Sequence, residues 1–205
     1  MIKKIYLVSF LSLLLFSACS NNTDTKKVPT ENKEILAEVD TVAEATKVSF
    51  TAFKTTEKVP VGGYFEKIEL KTLGTKGSPE SLFIGADFSI PVTSLKTGID
   101  SRNLKIITYF FKTLVDTDNI TGKIKSMKDG VANIDITLNG ITKPVLLSYS
   151  TMNNTVTFEG KIDVTNFDAM DSIIMLNEEC YELHKGADGQ SKLWSEVDIK
   201  IESIF

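Results

Sequence analysis

The sequence predicts a mainly β protein, an antiparallel sheet of about eight strands closed into a barrel or stacked as a sandwich, with two short helices. Three observations carry this. From Thr46 onward, apolar residues recur at every second position, the period of a half-buried strand. Turn-forming pairs, Asp129-Gly130, Asn139-Gly140 and Asn153-Asn154, punctuate the alternating runs. A chain of 205 residues with 42% hydrophobic content has the material for one domain core plus an appendage.

The appendage comes first. Met1-Ile2-Lys3-Lys4 is a short positive start, and residues 5–16 are an uncharged apolar stretch, too short to span a bilayer. Small residues follow, so residues 1–18 read as an export signal. Phe16-Ser17-Ala18-Cys19 resembles a bacterial lipobox, in which Cys19 receives a diacylglycerol and becomes the mature N-terminus. The whole chain carries 23 basic and 27 acidic residues, a net charge of −4. Removal of Lys3 and Lys4 leaves 21 − 27, or −6, so a lipid rather than surface charge would hold the mature protein at a membrane. The same acidic balance argues against nucleic acid as a partner. Residues 19–45 have weak periodicity and read as a flexible tether, with room for a short helix over residues 31–44.

The strands follow in order. Val48, Phe50 and Ala52 alternate with Ser49 and Thr51. After Val61-Gly62-Gly63, read as a turn, come Tyr64, Glu66, Ile68 and Leu70. Leu82, Ile84, Ala86, Phe88 and Ile90 form one apolar face. Residues 120–127 lead into Asp129-Gly130, and Ala132, Ile134, Ile136 and Leu138 then share a face. Asn139-Gly140 predicts a type I′ hairpin, because both residues tolerate φ > 0. Val145, Leu147 and Tyr149 face inward on the return strand; Val156, Phe158, Ile162 and Val164 mark the next. Val197, Ile199 and Ile201 mark the last, in residues 193–205. Two segments have helical spacing instead. In residues 101–111, Leu104, Ile107 and Phe111 form a stripe that Ser101 caps; in residues 167–184, Ile173, Leu176, Cys180 and His184 do so.

The apolar faces of such a sheet either fill a core or line a lumen, and alternation alone does not separate the two. Phe50, Phe88, Ile134, Ile136, Leu138, Leu147 and Phe158 are the candidates for either role. Phe110 and Phe111 either gate a mouth or seat a helix on the sheet. Arg102 either meets a polar head or bonds to loop carbonyls. Cys180 and His184, four apart on an apolar stripe, read first as buried side chains and only secondarily as a metal or thiolate pair. No metal site, catalytic group or phosphate-binding glycine loop is indicated. Asp188-Gly189 reads as a turn, and Trp194 as a plug at one end of the barrel.

Four stretches in order resemble the YceI-like family: Val59-Pro60-Val61-Gly62-Gly63-Tyr64-Phe65; then Phe88 to Gly98 with Arg102-Asn103, Lys105-Ile106 and Phe110-Phe111; then Leu138-Asn139-Gly140-Ile141-Thr142-Lys143-Pro144-Val145; and the end from Leu176 to Trp194, similar to a lipoprotein branch. The resemblance spans residues 46–205. Two positions depart from it: Asn103 stands where Asp is usual, and Lys105 where His is common. It implies a lipocalin-like antiparallel barrel whose lumen takes a polyisoprenoid or similar lipid, with the phenylalanines and aliphatics above as lumen residues. The expectation is therefore a non-enzymatic lipoprotein of the bacterial envelope, on the periplasmic face or the cell surface. It is membrane-held through Cys19, has an apolar small molecule as partner and needs no other cofactor. The alternative is a structural or interaction lipoprotein with a packed, ligand-free barrel. Nothing in the sequence indicates an oligomeric state.

Overall fold

The computed structural model describes residues 39–205. The expected export signal, Cys19 and the expected tether as far as residue 38 lie outside the described residues. Residues 39–44 are helical, and Val42 is already buried in the core, so the chain packs onto the domain before the strand period begins.

Ten strands follow: β1 (Lys47–Lys54), β2 (Val59–Phe65), β3 (Glu69–Lys71), β4 (Asp87–Pro91), β5 (Leu95–Lys96), β6 (Asn119–Lys128), β7 (Val131–Leu138), β8 (Ile141–Met152), β9 (Thr155–Asp163) and β10 (Glu196–Ile204). They form one antiparallel sheet in the order β3-β4-β6-β7-β8-β9-β10-β1-β2-β5. The end strands β3 and β5 have three and two residues and do not pair with each other, so the sheet curls into a half-barrel rather than closing by hydrogen bonds. The other eight strands correspond to the about eight expected. The last strand lies beside the first, with Val48 opposite Ile201 and Phe50 opposite Ile199.

Register across β6 to β9 is set by three consecutive two-residue turns. Asp129-Gly130, Asn139-Gly140 and Asn153-Asn154 all have positive φ at both positions, the geometry whose twist matches the flanking strands. Asn139 does more than turn. Its Oδ1 accepts from the Val115 amide at 2.7 Å and its Nδ2 donates to the Phe167 carbonyl at 2.8 Å, tying the hairpin to the loops at that end.

Three expectations are corrected. The run from Leu82 to Ile90 is not one strand. Ser78 caps helix α1 (Pro79–Phe83) and Pro79 opens it. Gly85 then turns at φ +91°, and the strand begins only at Asp87. Leu82 and Phe83 are both buried, which a helix on a sheet permits and a half-exposed strand does not. Second, Gly62-Gly63 is inside β2, not before it. A Cβ on Gly63 would collide with the ring of Phe50, so glycine is there for close packing, and the inward residue is Phe65 rather than Tyr64. Third, of the stripe expected on helix α2 (Asp100–Tyr109) and just beyond it, Ile107 and Phe111 pack on the core but Leu104 does not. Leu104 is exposed, Asn103 is buried, and Ile99 rather than Ser101 is the N-cap. Helix α3 (Met170–Glu179) does bury Ile173 and Leu176, with Cys180 at its end. Asp188-Gly189 is a turn, as expected, with the Gln190 amide donating to Asp188 Oδ1 at 3.0 Å.

The interior has two unequal halves. At one end Leu82, Phe83, Ile124, Ile134, Leu147, Val156 and Phe158 pack tightly, leaving a gap of only about 60 Å³. At the other end the sheet and helices α2 and α3 enclose a hollow.

Candidate functional site

The hollow is a lumen of about 440 Å³. Its wall is built by the inward residues of β1 and β2 (Phe50, Ala52, Val61, Phe65), of β7 (Ile136, Leu138), and of β9 and β10 (Ile162, Val197, Ile199). The period-two alternation puts these residues on one face. Ile106 of α2 and Ile173, Leu176 and Cys180 on the α3 side roof it. A line of rings crosses it: Phe50 to Phe65 at 5.7 Å between centroids, Phe65 to Phe111 at 6.3 Å, and Phe111 edge-on to Phe110 at 5.0 Å. Ile99 and Leu183 line the lumen yet are 47% and 61% exposed, so the mouth lies between them.

The sequence-derived candidates divide between the halves. Phe50, Phe110, Phe111, Ile136 and Leu138 line the lumen, and so does Arg102. Phe88, Ile134, Leu147 and Phe158 sit around the small gap in the packed half, and Ile136 borders both spaces. Trp194 stands on the lumen wall, with its Nε1 donating to the Thr55 carbonyl at 2.8 Å and the Lys192 ammonium 3.6 Å from its ring centroid. Lys54, Lys105, Phe65 and the Val197–Ile199 face are lumen residues that sequence reasoning did not select. The last two were available from alternation, once β2 was placed in the right phase.

Polar groups concentrate toward the helices. Three cations, Lys54, Arg102 and Lys105, line the lumen and no carboxylate does, although the chain as a whole is acidic. Lys54 Nζ donates to the Leu183 carbonyl at 2.8 Å. Lys105 Nζ bridges to Glu179 Oε1 at 3.0 Å, which pulls its pKa up. Arg102 is the only arginine in the sequence; its amide donates to the Ile99 carbonyl at 3.1 Å, and its guanidinium has no hydrogen bond or ion pair among the described residues. Asn103 beside it points the other way. Its Oδ1 accepts from the Thr97 amide at 2.8 Å and the Thr97 hydroxyl at 2.7 Å. A carboxylate at this position would accept the same two bonds, so the departure to Asn preserves the loop-to-helix tie.

Cys180 and His184 are both buried on the lumen wall; the His184 amide donates to the Cys180 carbonyl at 3.0 Å, but no hydrogen bond joins the thiol and the ring. Burial pushes the Cys180 thiol up, away from a reactive thiolate. His184 is held down at about 4 by burial first and then by Lys54 and Lys105. Among the described residues, no group of three or more His, Cys, Asp and Glu is placed to hold a metal ion.

The architecture is a half-barrel with a hollow, mainly apolar end roofed by helices, with Lys54, Arg102 and Lys105 on its wall. The YceI-like domain profile matches residues 38–205, and the chain belongs to that family. No curated protein matches the chain. Two solved structures share the fold at low identity. The chain is similar to a polyisoprenoid-binding domain from Saccharophagus degradans implicated in plant cell wall breakdown, with 16% identity and a TM-score of 0.58, over 78% of this chain and 93% of that one. It is also similar to Burkholderia cenocepacia BcnA, with 21% identity and a TM-score of 0.53, over 80% of this chain and 99% of that one.

Proposed function

We propose that this protein is a lipid-binding module that holds a long apolar molecule, a polyisoprenoid or similar lipid, in its lumen, and that it is not an enzyme. One observation carries the reading: an apolar lumen of about 440 Å³ with its polar groups gathered at one end. That volume falls in the range of ligand sites, roughly 300–1,000 Å³. Left as void, it would cost on the order of 10 kcal/mol at ~24 cal/mol per Å³, comparable with the whole stability of a domain. Water gains little from an apolar wall that offers it few partners. The polyisoprenoid binding of the Saccharophagus domain is in keeping with this reading. Phe50, Phe110, Phe111, Ile136 and Leu138 contact the tail, and the polar end lies toward the part of the wall that carries Lys54, Arg102 and Lys105. A packed scaffold without ligand describes the half around Leu147 and Phe158 but gives no role to the hollow half.

In this reading the domain is exported, and Cys19 carries the acyl anchor that keeps it in the bacterial envelope. The lipobox-like Phe16-Ser17-Ala18-Cys19 and the polar tether support that placement.

Trp194 is the only tryptophan and stands on the lumen wall, which makes it a reporter. Titration of the full-length protein with a long-chain prenol should change its emission saturably, reaching a plateau near one ligand per chain. Emission that stays constant, or changes linearly without saturation, would count against a ligand in the lumen.

A further inference from the structure

One group on the lumen wall has a fixed hydrogen-bonding direction. His184, the only histidine in the chain, is 9% exposed. Its Nδ1 lies 3.0 Å from Asn177 Oδ1, which also accepts from the Ser191 hydroxyl at 3.2 Å. An amide carbonyl oxygen only accepts, so the ring proton sits on Nδ1. Burial and the nearby charges of Lys54 and Lys105 keep the ring neutral near pH 7. Nε2 is therefore a lone-pair acceptor. It makes no hydrogen bond within the described residues, and it is not sealed inside the protein: the buried polar atoms without a partner are the Thr55 hydroxyl and Asn133 Oδ1. His184 lines the lumen, and with Nδ1 engaged by Asn177, Nε2 is the ring nitrogen left for a ligand there.

The surroundings narrow what fits. A neutral acceptor shares the lumen wall with two ammonium groups, Lys54 and Lys105, whose charges reach the ring. A hydroxyl matches both: its proton goes to Nε2, and its oxygen lone pairs remain for an ammonium. An ionised carboxylate only accepts, so it would set lone pair against lone pair at Nε2. A plain hydrocarbon leaves Nε2 desolvated and unbonded.

We infer that the ligand of this lumen carries a hydroxyl, as a long-chain alcohol or phenol, whose O–H donates to Nε2 of His184. This rests on the reading of the domain as a lipid-binding module. Asn177 is a positioning residue: it holds the proton on Nδ1 and so keeps Nε2 free.

The test uses full-length protein with its histidine ring labelled with nitrogen-15, so that only His184 contributes. The probes are hexadecanol, its methyl ether, hexadecane and hexadecanoate. Hexadecanol is expected to bind about three- to tenfold more tightly than the ether, the value of one net hydrogen bond. It alone should shift the Nε2 resonance. In His184→Leu, hexadecanol and its ether should bind equally well. The ring-nitrogen measurement on the unsubstituted protein stands even if that variant fails to fold. Equal binding of alcohol and ether to the unsubstituted protein would overturn the inference while leaving lumen binding intact. So would tightest binding by hexadecanoate with Nε2 unmoved. Binding by none of the four, hexadecane included, would overturn the lipid-binding reading and this inference with it.

Discussion

Replacing Ala52 with tryptophan should weaken binding of a long apolar ligand by more than about a hundredfold and leave the fold intact. Ala52 is the smallest side chain on the lumen face of β1, paired with Val61 of β2 and two residues from Phe50. An indole there projects into the hollow rather than into packed atoms. Tail contact is worth ~0.8 kcal/mol per buried methylene, so excluding about four methylenes removes roughly 3 kcal/mol. That is about two decades in the dissociation constant. Stability should hold or rise, because the ring fills space that the protein's own atoms leave open. Calorimetric titration and thermal unfolding of the same variant read both effects. Unchanged affinity in Ala52→Trp would mean that the ligand binds elsewhere.

Acidification should destabilise the domain through His184 well above the range where carboxylates titrate. The unfolded histidine takes up its proton near 6.5, whereas the folded ring resists protonation until about 4. Between these values the unfolded state binds more protons, so stability is fully present above pH 6.5 and falls as pH drops toward 4. The full difference is roughly 3 kcal/mol, and roughly 2 kcal/mol of it is lost between pH 7 and pH 5. Asp163 and Glu80 have lowered pKa values through their hydrogen bonds to Thr165 and Tyr149, and their contributions are lost at lower pH still. Urea unfolding at pH 7 and pH 5 isolates the histidine. His184→Leu should flatten this window, and a flat profile in the unsubstituted protein would show that the ring is not buried neutral.

Much of the fold was legible in the sequence because its signals are local. The three turn pairs at 129–130, 139–140 and 153–154 fix φ by residue type, and the alternation of β6 to β10 reports directly which face is buried. The failures came where local signals compete. Leu82 to Ile90 alternates like a strand, but the Ser78-Pro79 cap nucleates a helix, and burial of two adjacent residues against the sheet favours it. Gly62-Gly63 resembles a turn, yet Gly63 is small because the Phe50 ring lies against it, a contact distant in sequence. In α2 Ile107 packs inward as its spacing implied, but Asn103, held by Thr97, takes the inward place that a count of apolar residues gave to Leu104.

The candidate site was legible only in part. Alternation marked Phe50, Phe88, Ile134, Ile136, Leu138, Leu147 and Phe158 alike. It could not tell the hollow half from the packed one, because that depends on where α2 and α3 roof the sheet. The polar end was less visible still. Lys54 joins Arg102 and Lys105 on one wall only in the fold. The role of His184 depends on Asn177 and Ser191, seven residues before it and seven after.

Native mass spectrometry of full-length protein purified from bacterial cells in mild detergent tests the central claim most directly. The account predicts a bound species of one apolar molecule per chain, released intact into organic solvent and absent from Ala52→Trp. A ligand-free mass, together with a crystal structure whose lumen is filled by its own side chains, would contradict it.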